Sequence, residues 1–145
     1  MAVTGANDLT PVLLYDGECG LCARSVQFVL AHERPERRAG LRFAPLQGAY
    51  ATKVRERHPE IAAIDSIIWH ALTLAGESRV RVRSDAALAA MVHMGGVWRV
   101  LSVVARVVPR PIRDAVYEAI ARRRVQLAAH ACLLPSAGVR DRFLD

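Results

Sequence analysis

The hydrophobic positions of the chain fall into short, regular groups that predict alternating strands and helices. The first group, Val12–Tyr15, is a continuous apolar run, which is typical of a strand buried on both faces. A helix is predicted from about Gly20, because apolar residues then recur at i, i+4, i+7 and i+8. This helix ends before the charged segment that follows Pro35. Its apolar stripe consists of Cys22, Val26, Val29 and Leu30.

The next segments predict a second strand and helix, followed by a hairpin. Residues 41–44 alternate between apolar and polar and predict a strand, and residues 49–57 predict a helix. Residues 66–72 predict a third strand, and residues 79–83 a fourth, antiparallel strand after the turn at Gly76. Arginine at alternate positions of the fourth strand indicates a solvent-facing side, which would protect a sheet edge from pairing with another chain.

Helical patterns continue as far as residue 124. Ser84 is predicted to cap a helix that runs to about Met94, where two glycines end it. Two further helices are predicted near residues 97–107 and 112–124. The order β-α-β-α-β-β-α with two extra helices predicts an α/β domain of three layers, in the element order of the thioredoxin fold.

Length and composition are those of one globular domain, since the chain has 145 residues of which 52% are hydrophobic. We expect a single domain over residues 1–145, with a thioredoxin-like core over about 11–96, a helical extension over about 97–128 and an irregular tail over 129–145. The first residues lack the pattern of a signal peptide, and the most apolar later segment is short and contains arginine. We therefore expect a cytoplasmic protein.

The net charge of +6 would favour acidic partners. The basic residues do not form one contiguous tract, which a nucleic-acid footprint usually needs, so we expect no specific nucleic-acid binding. Peripheral contact with a membrane, through the C-terminal helices, stays open as an expectation.

The candidate chemistry lies where the first strand meets the first helix. Cys19 and Cys22 form a CxxC pair, which at the start of a helix is typical of redox-active cysteines. Free N–H groups and the positive end of the helix dipole favour the thiolate of Cys19, which is the nucleophilic form. Cys22 opens the apolar stripe and is the candidate resolving thiol. Asp16 is either a base for Cys22 or a turn residue that holds the connection.

Two interpretations without redox turnover remain open. A zinc-stabilised module would need two ligands besides the CxxC pair, and His130 and Cys132 are candidates, although their spacing is not that of a usual zinc knuckle. A basic interaction module would bind an anionic surface instead. We expect no metal and no cofactor, and a free thiol at Cys132. We expect the histidines to be surface or core residues, because no spacing pairs them with a nucleophile: His32, His58, His70, His93 and His130.

The segment YDGECGLC, residues 15–22, resembles the signature of the DCC family of thiol-disulfide oxidoreductases. The family is named for an Asp, Cys, Cys triplet, which Asp16, Cys19 and Cys22 match. The resemblance implies a thioredoxin-like fold and protein-disulfide oxidoreductase activity. For such an activity we expect disulfide-containing proteins or small thiols as substrates, and an electron donor that the sequence does not identify. Later motifs of the family resemble residues 84–88, 95–99, 109–114 and 132–135, so that the resemblance covers about residues 11–135.

Acidic residues beside the cysteines set an expectation for the direction of the reaction. Glu18 stands where ordinary thioredoxins carry an aromatic residue, and with Asp16 it places negative charge near Cys19. Like charge disfavours the thiolate, which makes the reduced form less stable and lowers the reduction potential. We therefore expect a protein-disulfide reductase.

Overall fold

One mixed sheet of four strands forms the centre of the fold. The computed structural model describes residues 10–16, 20–64, 67–123 and 142–144, with backbone alone for 20–23, 37–39 and 121. The strands are β1 (Val12–Tyr15), β2 (Arg42–Pro45), β3 (Ile68–Leu72) and β4 (Ser78–Val82).

The strands lie in the order β2-β1-β3-β4. β1 pairs in parallel with β2 and antiparallel with β3, and β3 pairs antiparallel with β4. All four residues of β1 are buried, as the continuous apolar run predicts for a central strand. In β4, Arg79 and Arg81 are exposed while their neighbours are half-buried, which confirms the predicted alternation.

Five helices surround the sheet within the described residues, and two 3₁₀ turns cover Pro35–Gly40 and Pro59–Ile61. The predicted helix over residues 49–57 has the observed bounds, and the other helices begin or end within one to three residues of their predicted limits. The helices are α1 (Gly20–His32), α2 (Ala49–Arg57), α3 (Arg83–Met94), α4 (Val97–Ala105) and α5 (Arg110–Arg122).

The helices cover both faces of the sheet and make three layers. On one face, Val26 of α1 and Met94 of α3 pack with Leu13 of β1. On the other face, Val54 of α2 packs with Leu14 of β1. This arrangement confirms the thioredoxin-like α/β fold. The division of the chain into core, extension and tail stays a prediction.

α4 and α5 lie beyond α3. Trp98 of α4 and Tyr117 of α5 pack, partly buried, against the core that α1 and α3 share. Within the described residues, no helix is both long and apolar enough to cross a membrane.

The prediction that Ser84 caps α3 is wrong, because the helix begins one residue earlier, at Arg83. Arg83 has a φ of 52°, and the residue before it, Val82, makes no side-chain cap. Ser84 instead donates from its hydroxyl and its backbone N–H to the carboxylate of Asp114 on α5. The negative charge at the start of α3 thus comes from a neighbouring helix as well as from Asp85 of its own first turn.

Candidate active site

The candidate site lies at the edge of the sheet where β1 and β2 both end. These strands are parallel and Tyr15 pairs with Pro45, so the residues after each strand lie side by side. The chain then enters α1 at Gly20. Of the three predicted site residues, the structure describes Asp16 and the backbone of Cys22. Cys19 lies outside the described residues, as does Glu18.

Asp16 is joined to the turn after β2. The side-chain amide of Gln47 donates a hydrogen bond to Oδ1 of Asp16 over 2.7 Å. The backbone N–H of Leu46 also donates to the carbonyl of Tyr15 over 2.7 Å, which ties this turn to the end of β1. Asp16 is half-buried. The amide of Gln47 therefore sets the orientation of this carboxylate beside the start of α1.

The register of α1 relates the second cysteine to two buried positions of the same helix. Cys22 lies in the first turn, four residues before Val26 and seven before Val29, and both valines are buried against the sheet. Residues at this spacing share one helix face. The first-turn N–H groups of a helix have no intrahelical acceptor, and Cys19 immediately precedes this turn in sequence. α1 has no acidic residue in its first turn.

Comparison with known proteins assigns the chain to a family. The family model of DCC1-like thiol-disulfide oxidoreductases matches residues 13–130. The chain belongs to this family. The resemblance of residues 15–22 to the DCC signature is thus confirmed, and the family name indicates a thiol-disulfide oxidoreductase. No solved structure matches the chain.

Two relatives align over most of the chain. The uncharacterized protein YuxK of Bacillus subtilis is 31% identical over 135 residues, which cover 92% of this chain and 93% of that protein. A chloroplastic DCC family protein of Arabidopsis thaliana is 31% identical over 117 residues, which cover 81% of this chain and 64% of that protein.

A buried ion-pair cluster lies at the other end of α1, directly after the helix. The side chain of Glu33 is 1% exposed and accepts a hydrogen bond from Nε2 of His93 over 2.8 Å and two from the guanidinium of Arg142. Burial alone would raise the pKa of Glu33, but the hydrogen bonds from His93 and Arg142 outweigh it and hold this pKa below its ordinary value.

Phe143, the residue after Arg142, packs against aromatic residues of β1 and β2. Phe143 stacks on Phe43 with ring centroids 5.2 Å apart and meets the ring of Tyr15 edge-on at 6.2 Å. Tyr15 is buried, and burial raises the pKa of its hydroxyl. β1, which directly precedes Asp16, is therefore anchored by a residue near the C-terminal end of the described chain.

Two histidines form a hydrogen-bonded chain on the α2 face of the sheet. Nδ1 of His70 contacts the hydroxyl of Tyr50 at 2.7 Å, and Nε2 of His70 contacts Oγ of Ser78 at 2.8 Å. The same Oγ contacts Nε2 of His58 at 2.8 Å, and Nδ1 of His58 reaches Glu60 at 3.1 Å. Ser78 lies opposite the last residue of β3, so this chain is at the far end of the sheet from the candidate site.

The residues that sequence reasoning missed are Gln47 and the partners of Glu33. Gln47 could have been found from its position, because it lies two residues after a strand that is parallel to β1 and so ends beside Asp16. Glu33 gave no such signal, because its partners lie 60 and 109 residues away in sequence.

No group of three or more His, Cys, Asp or Glu side chains able to hold a metal ion occurs in the described part of the chain. Three of the four ligands considered for zinc lie outside that part: Cys19, His130 and Cys132. The expectations of no metal and no cofactor therefore stay predictions.

Proposed function

We propose that this DCC family member is a protein-disulfide reductase in which Cys19 attacks the substrate and Cys22 resolves the intermediate. The observation that carries the proposal is the start of α1 at Gly20, directly after Cys19 in sequence and at the carboxyl end of β1. There the unpaired N–H groups of the first turn favour negative charge on the preceding residue. Family membership supplies the chemical class.

The reaction begins with attack of the Cys19 thiolate on one sulfur of a substrate disulfide. A Cys19–substrate disulfide forms and the other substrate sulfur leaves as a thiolate. The deprotonated Cys22 then attacks the sulfur of Cys19, which releases the second substrate sulfur and leaves a Cys19–Cys22 disulfide. Two electrons and two protons pass in total from the dithiol to the substrate. A dithiol electron donor returns the protein to its reduced state by the reverse exchange.

Asp16 has the role of the proton acceptor for Cys22 in this proposal. Its carboxylate lies in the segment between β1 and α1, and the amide of Gln47 fixes its orientation. A general base must be held within hydrogen-bond reach of the proton that it accepts. Gln47→Ala and Asp16→Asn are both expected to slow the resolving step while leaving the first attack by Cys19 in place.

The direction of the reaction follows from the charges around the dithiol. Glu18 and Asp16 disfavour the thiolate, so we expect a potential nearer the roughly −270 mV of thioredoxin than the roughly −120 mV of a strong oxidant. Equilibration with glutathione buffers measures it, and Glu18→Gln should raise the potential. Such a dithiol stays reduced in the cytoplasm, which is the compartment we propose.

Reduction of insulin by dithiothreitol tests the order of attack. Cys19→Ser should abolish turnover, Cys22→Ser should accumulate mixed disulfides, and the matched control Cys132→Ser should turn over like the wild type. Mixed disulfides that accumulate in Cys19→Ser, or full insulin reduction by Cys19→Ser, would contradict the proposal. One zinc ion per purified chain, lost in Cys132→Ser, would support the zinc-stabilised module instead.

A second candidate function, peripheral binding to an anionic membrane, is favoured by the surface of α4 and α5. Water-exposed apolar patches of this kind mark interaction surfaces. The described residues include ten large apolar side chains that are exposed on or beside these helices: Val97, Val100, Leu101, Val103, Val104, Val107, Val108, Ile112, Val116 and Ile120.

The proposed occupant is a lipid surface because exposed arginines accompany the apolar side chains. Arg99 lies on α4, Arg110 and Arg122 lie on α5, and Arg123 follows it, all of them exposed. Basic residues beside an apolar helix face bind anionic headgroups while the apolar face enters the interface.

Co-sedimentation with vesicles tests this second candidate. The wild type should bind vesicles rich in phosphatidylglycerol and not those of phosphatidylcholine, and Val100→Glu with Val104→Glu should abolish binding. Leu74→Glu is the control, because Leu74 is 93% exposed on the β3–β4 turn, away from both helices. Absence of binding, or a stable dimer that the same glutamates dissociate, would contradict a membrane role.

A further inference from the structure

A groove lined by arginine runs between the sheet and α3, away from the dithiol. Its main cavity, of about 430 Å³, lies between the β3–β4 hairpin and α3. A second cavity of about 320 Å³ shares Arg81 and Arg106 with it and continues toward the start of α3. We call the main cavity and its continuation the arginine groove.

The alternation of the hairpin places the charged and aromatic residues of the groove on one face. Trp69 pairs with Arg81 and Ala71 pairs with Arg79, so all four side chains point to the α3 side of the sheet. The small side chain of Ala71 leaves the floor open between the large residues. α3 contributes Ala89 and Val92 to the opposite wall, and the residue after α4, Arg106, closes the side.

Positive charge in the groove is only partly compensated. Arg79 forms an exposed ion pair with Glu77 at 3.4 Å. In the part of the chain that the structure describes, the guanidinium groups of Arg81 and Arg106 have neither an ion-pair nor a hydrogen-bond partner. Asp85, the acidic residue of the second cavity, is paired with Arg110 at 3.0 Å and with Arg113 at 3.1 Å.

We propose that the arginine groove binds a small organic phosphate, with its phosphate between Arg81 and Arg106 and its planar or apolar part against Trp69. The planar guanidinium group presents paired donors that match phosphate oxygens, and two such groups from different elements fix the position of one anion. The apolar walls at Trp69, Ala89 and Val92 suit the rest of the ligand, as small-molecule sites are mostly apolar with few polar anchors.

The groove is independent of the disulfide chemistry. Its lining includes Leu72 and Thr73, which lie at the end of β3 remote from Asp16. The bound phosphate is therefore not the molecule whose disulfide is reduced. Binding should persist unchanged in Cys19→Ser, so a failed redox proposal would leave this inference standing, and a failed binding experiment would leave the redox proposal standing.

Calorimetry and tryptophan fluorescence test the groove with adenosine diphosphate, pyrophosphate and citrate as probes. We expect saturable binding of adenosine diphosphate that weakens as the salt concentration rises from about 50 to about 200 mM. The affinity should be about tenfold or more weaker in Arg81→Ala and in Arg106→Ala than in the wild type. Arg81→Lys keeps the charge but removes the paired donors of the guanidinium group. It should also weaken binding, which would show that charge alone is not sufficient. Arg99→Ala is the matched control, because Arg99 is an exposed arginine of α4 that does not line the groove.

The other probes separate the parts of the proposed ligand. Pyrophosphate should bind more weakly than adenosine diphosphate, and Trp69→Ala should remove that difference. Citrate bound as tightly as adenosine diphosphate would overturn the assignment of a phosphate ligand. Equal weakening by Arg99→Ala and Arg81→Ala, or no saturable binding of adenosine diphosphate, would overturn the site itself.

Discussion

At the scale of single residues, the charge on Glu33 links the stability of the fold to pH. The hydrogen bonds from His93 and Arg142 hold the pKa of Glu33 below its ordinary value, so the folded state favours its ionised form. A carboxylate with a lowered pKa stabilises the fold above its unfolded pKa, near 4.3, and this contribution is lost as the pH falls through the folded pKa. Acid should therefore destabilise the protein below about pH 4.3.

Glu33→Gln is expected to lower the free energy of unfolding at pH 7 by about 3 kcal/mol, because it leaves Arg142 without its buried counter-charge. The variant should also lose less stability than the wild type as the pH falls below about 4.3. Urea unfolding at several pH values measures both effects. Glu36→Gln is the control, because Glu36 is 66% exposed. Equal stability of the two variants would show that the cluster contributes nothing.

His70 should make stability fall in a higher pH range. Burial, followed by the positive charges of His58 and Arg57, lowers the pKa of His70 to about 4, whereas an unfolded histidine titrates near 6.5. The unfolded chain therefore binds the proton first, and stability is lost between about pH 6.5 and pH 4. His70→Gln should flatten this range, and the exposed His32→Gln should not. A value near 6.5 for His70, measured by NMR titration, would contradict this prediction.

The candidate site residues could be proposed from a local motif of the sequence, but the partner of Asp16 could not. Asp16 and the CxxC pair follow from a local motif, since strand, loop and helix are consecutive. Gln47 depends on the parallel pairing of two strands, and its side chain meets Asp16 across 31 residues of sequence. Such contacts are set by packing, which local periodicity does not encode.

At the scale of elements, the docking of α5 on the start of α3 decides how α3 begins. Local propensity favoured Ser84 as the cap, but the hydroxyl and N–H of Ser84 both donate to Asp114. α5 also begins two residues before its predicted start, at Arg110, and accommodates Pro111 in its first turn, where no N–H donor is needed.

Asp114→Ala should destabilise the protein by about 1 kcal/mol, the usual effect of losing a side-chain oxygen that accepts hydrogen bonds at a helix start. Glu118→Gln, on the same helix, is the matched comparison. Its ion pair with Arg83 spans 2.6 Å, but both side chains are about two-fifths exposed, so we expect a loss of about 0.5 kcal/mol or less. Chemical denaturation compares the two. A larger loss in Glu118→Gln would mean that the pair with Arg83, rather than Asp114, holds α5 on α3.

At the scale of the whole molecule, residues 142–144 close the outer edge of the sheet. Phe143 forms a bridge with Phe43 of β2, and the N–H of Leu144 donates to the carbonyl of Phe43 over 2.7 Å. Arg142 donates to the carbonyl of Leu41 over 3.0 Å and lies over the ring of Phe43. The thioredoxin-like order of elements was predictable from periodicity, but this closure was not, because three residues carry too little pattern.

Removal of residues 142–145 should cost about 3 kcal/mol or more, since it strips Phe143 from the core and leaves Glu33 without Arg142. Removal of Asp145 alone is the control and should change little. Thermal and urea unfolding measure both truncations. Unchanged stability of the longer truncation would show that the closure of β2 is not needed for the fold.

The position of Arg142 also has a consequence for how the protein is made. Glu33 emerges from the ribosome early, but the guanidinium that neutralises it is 109 residues further along the chain. Helix α1 and the central strands are synthesised first, yet β2 keeps an open edge until residue 142 has left the exit tunnel. Contacts this distant in sequence form late, and an unpaired edge invites pairing with other chains. During translation the edge of β2 should therefore stay open to pairing with other chains, or to a chaperone, long after the last strand of the sheet has been synthesised.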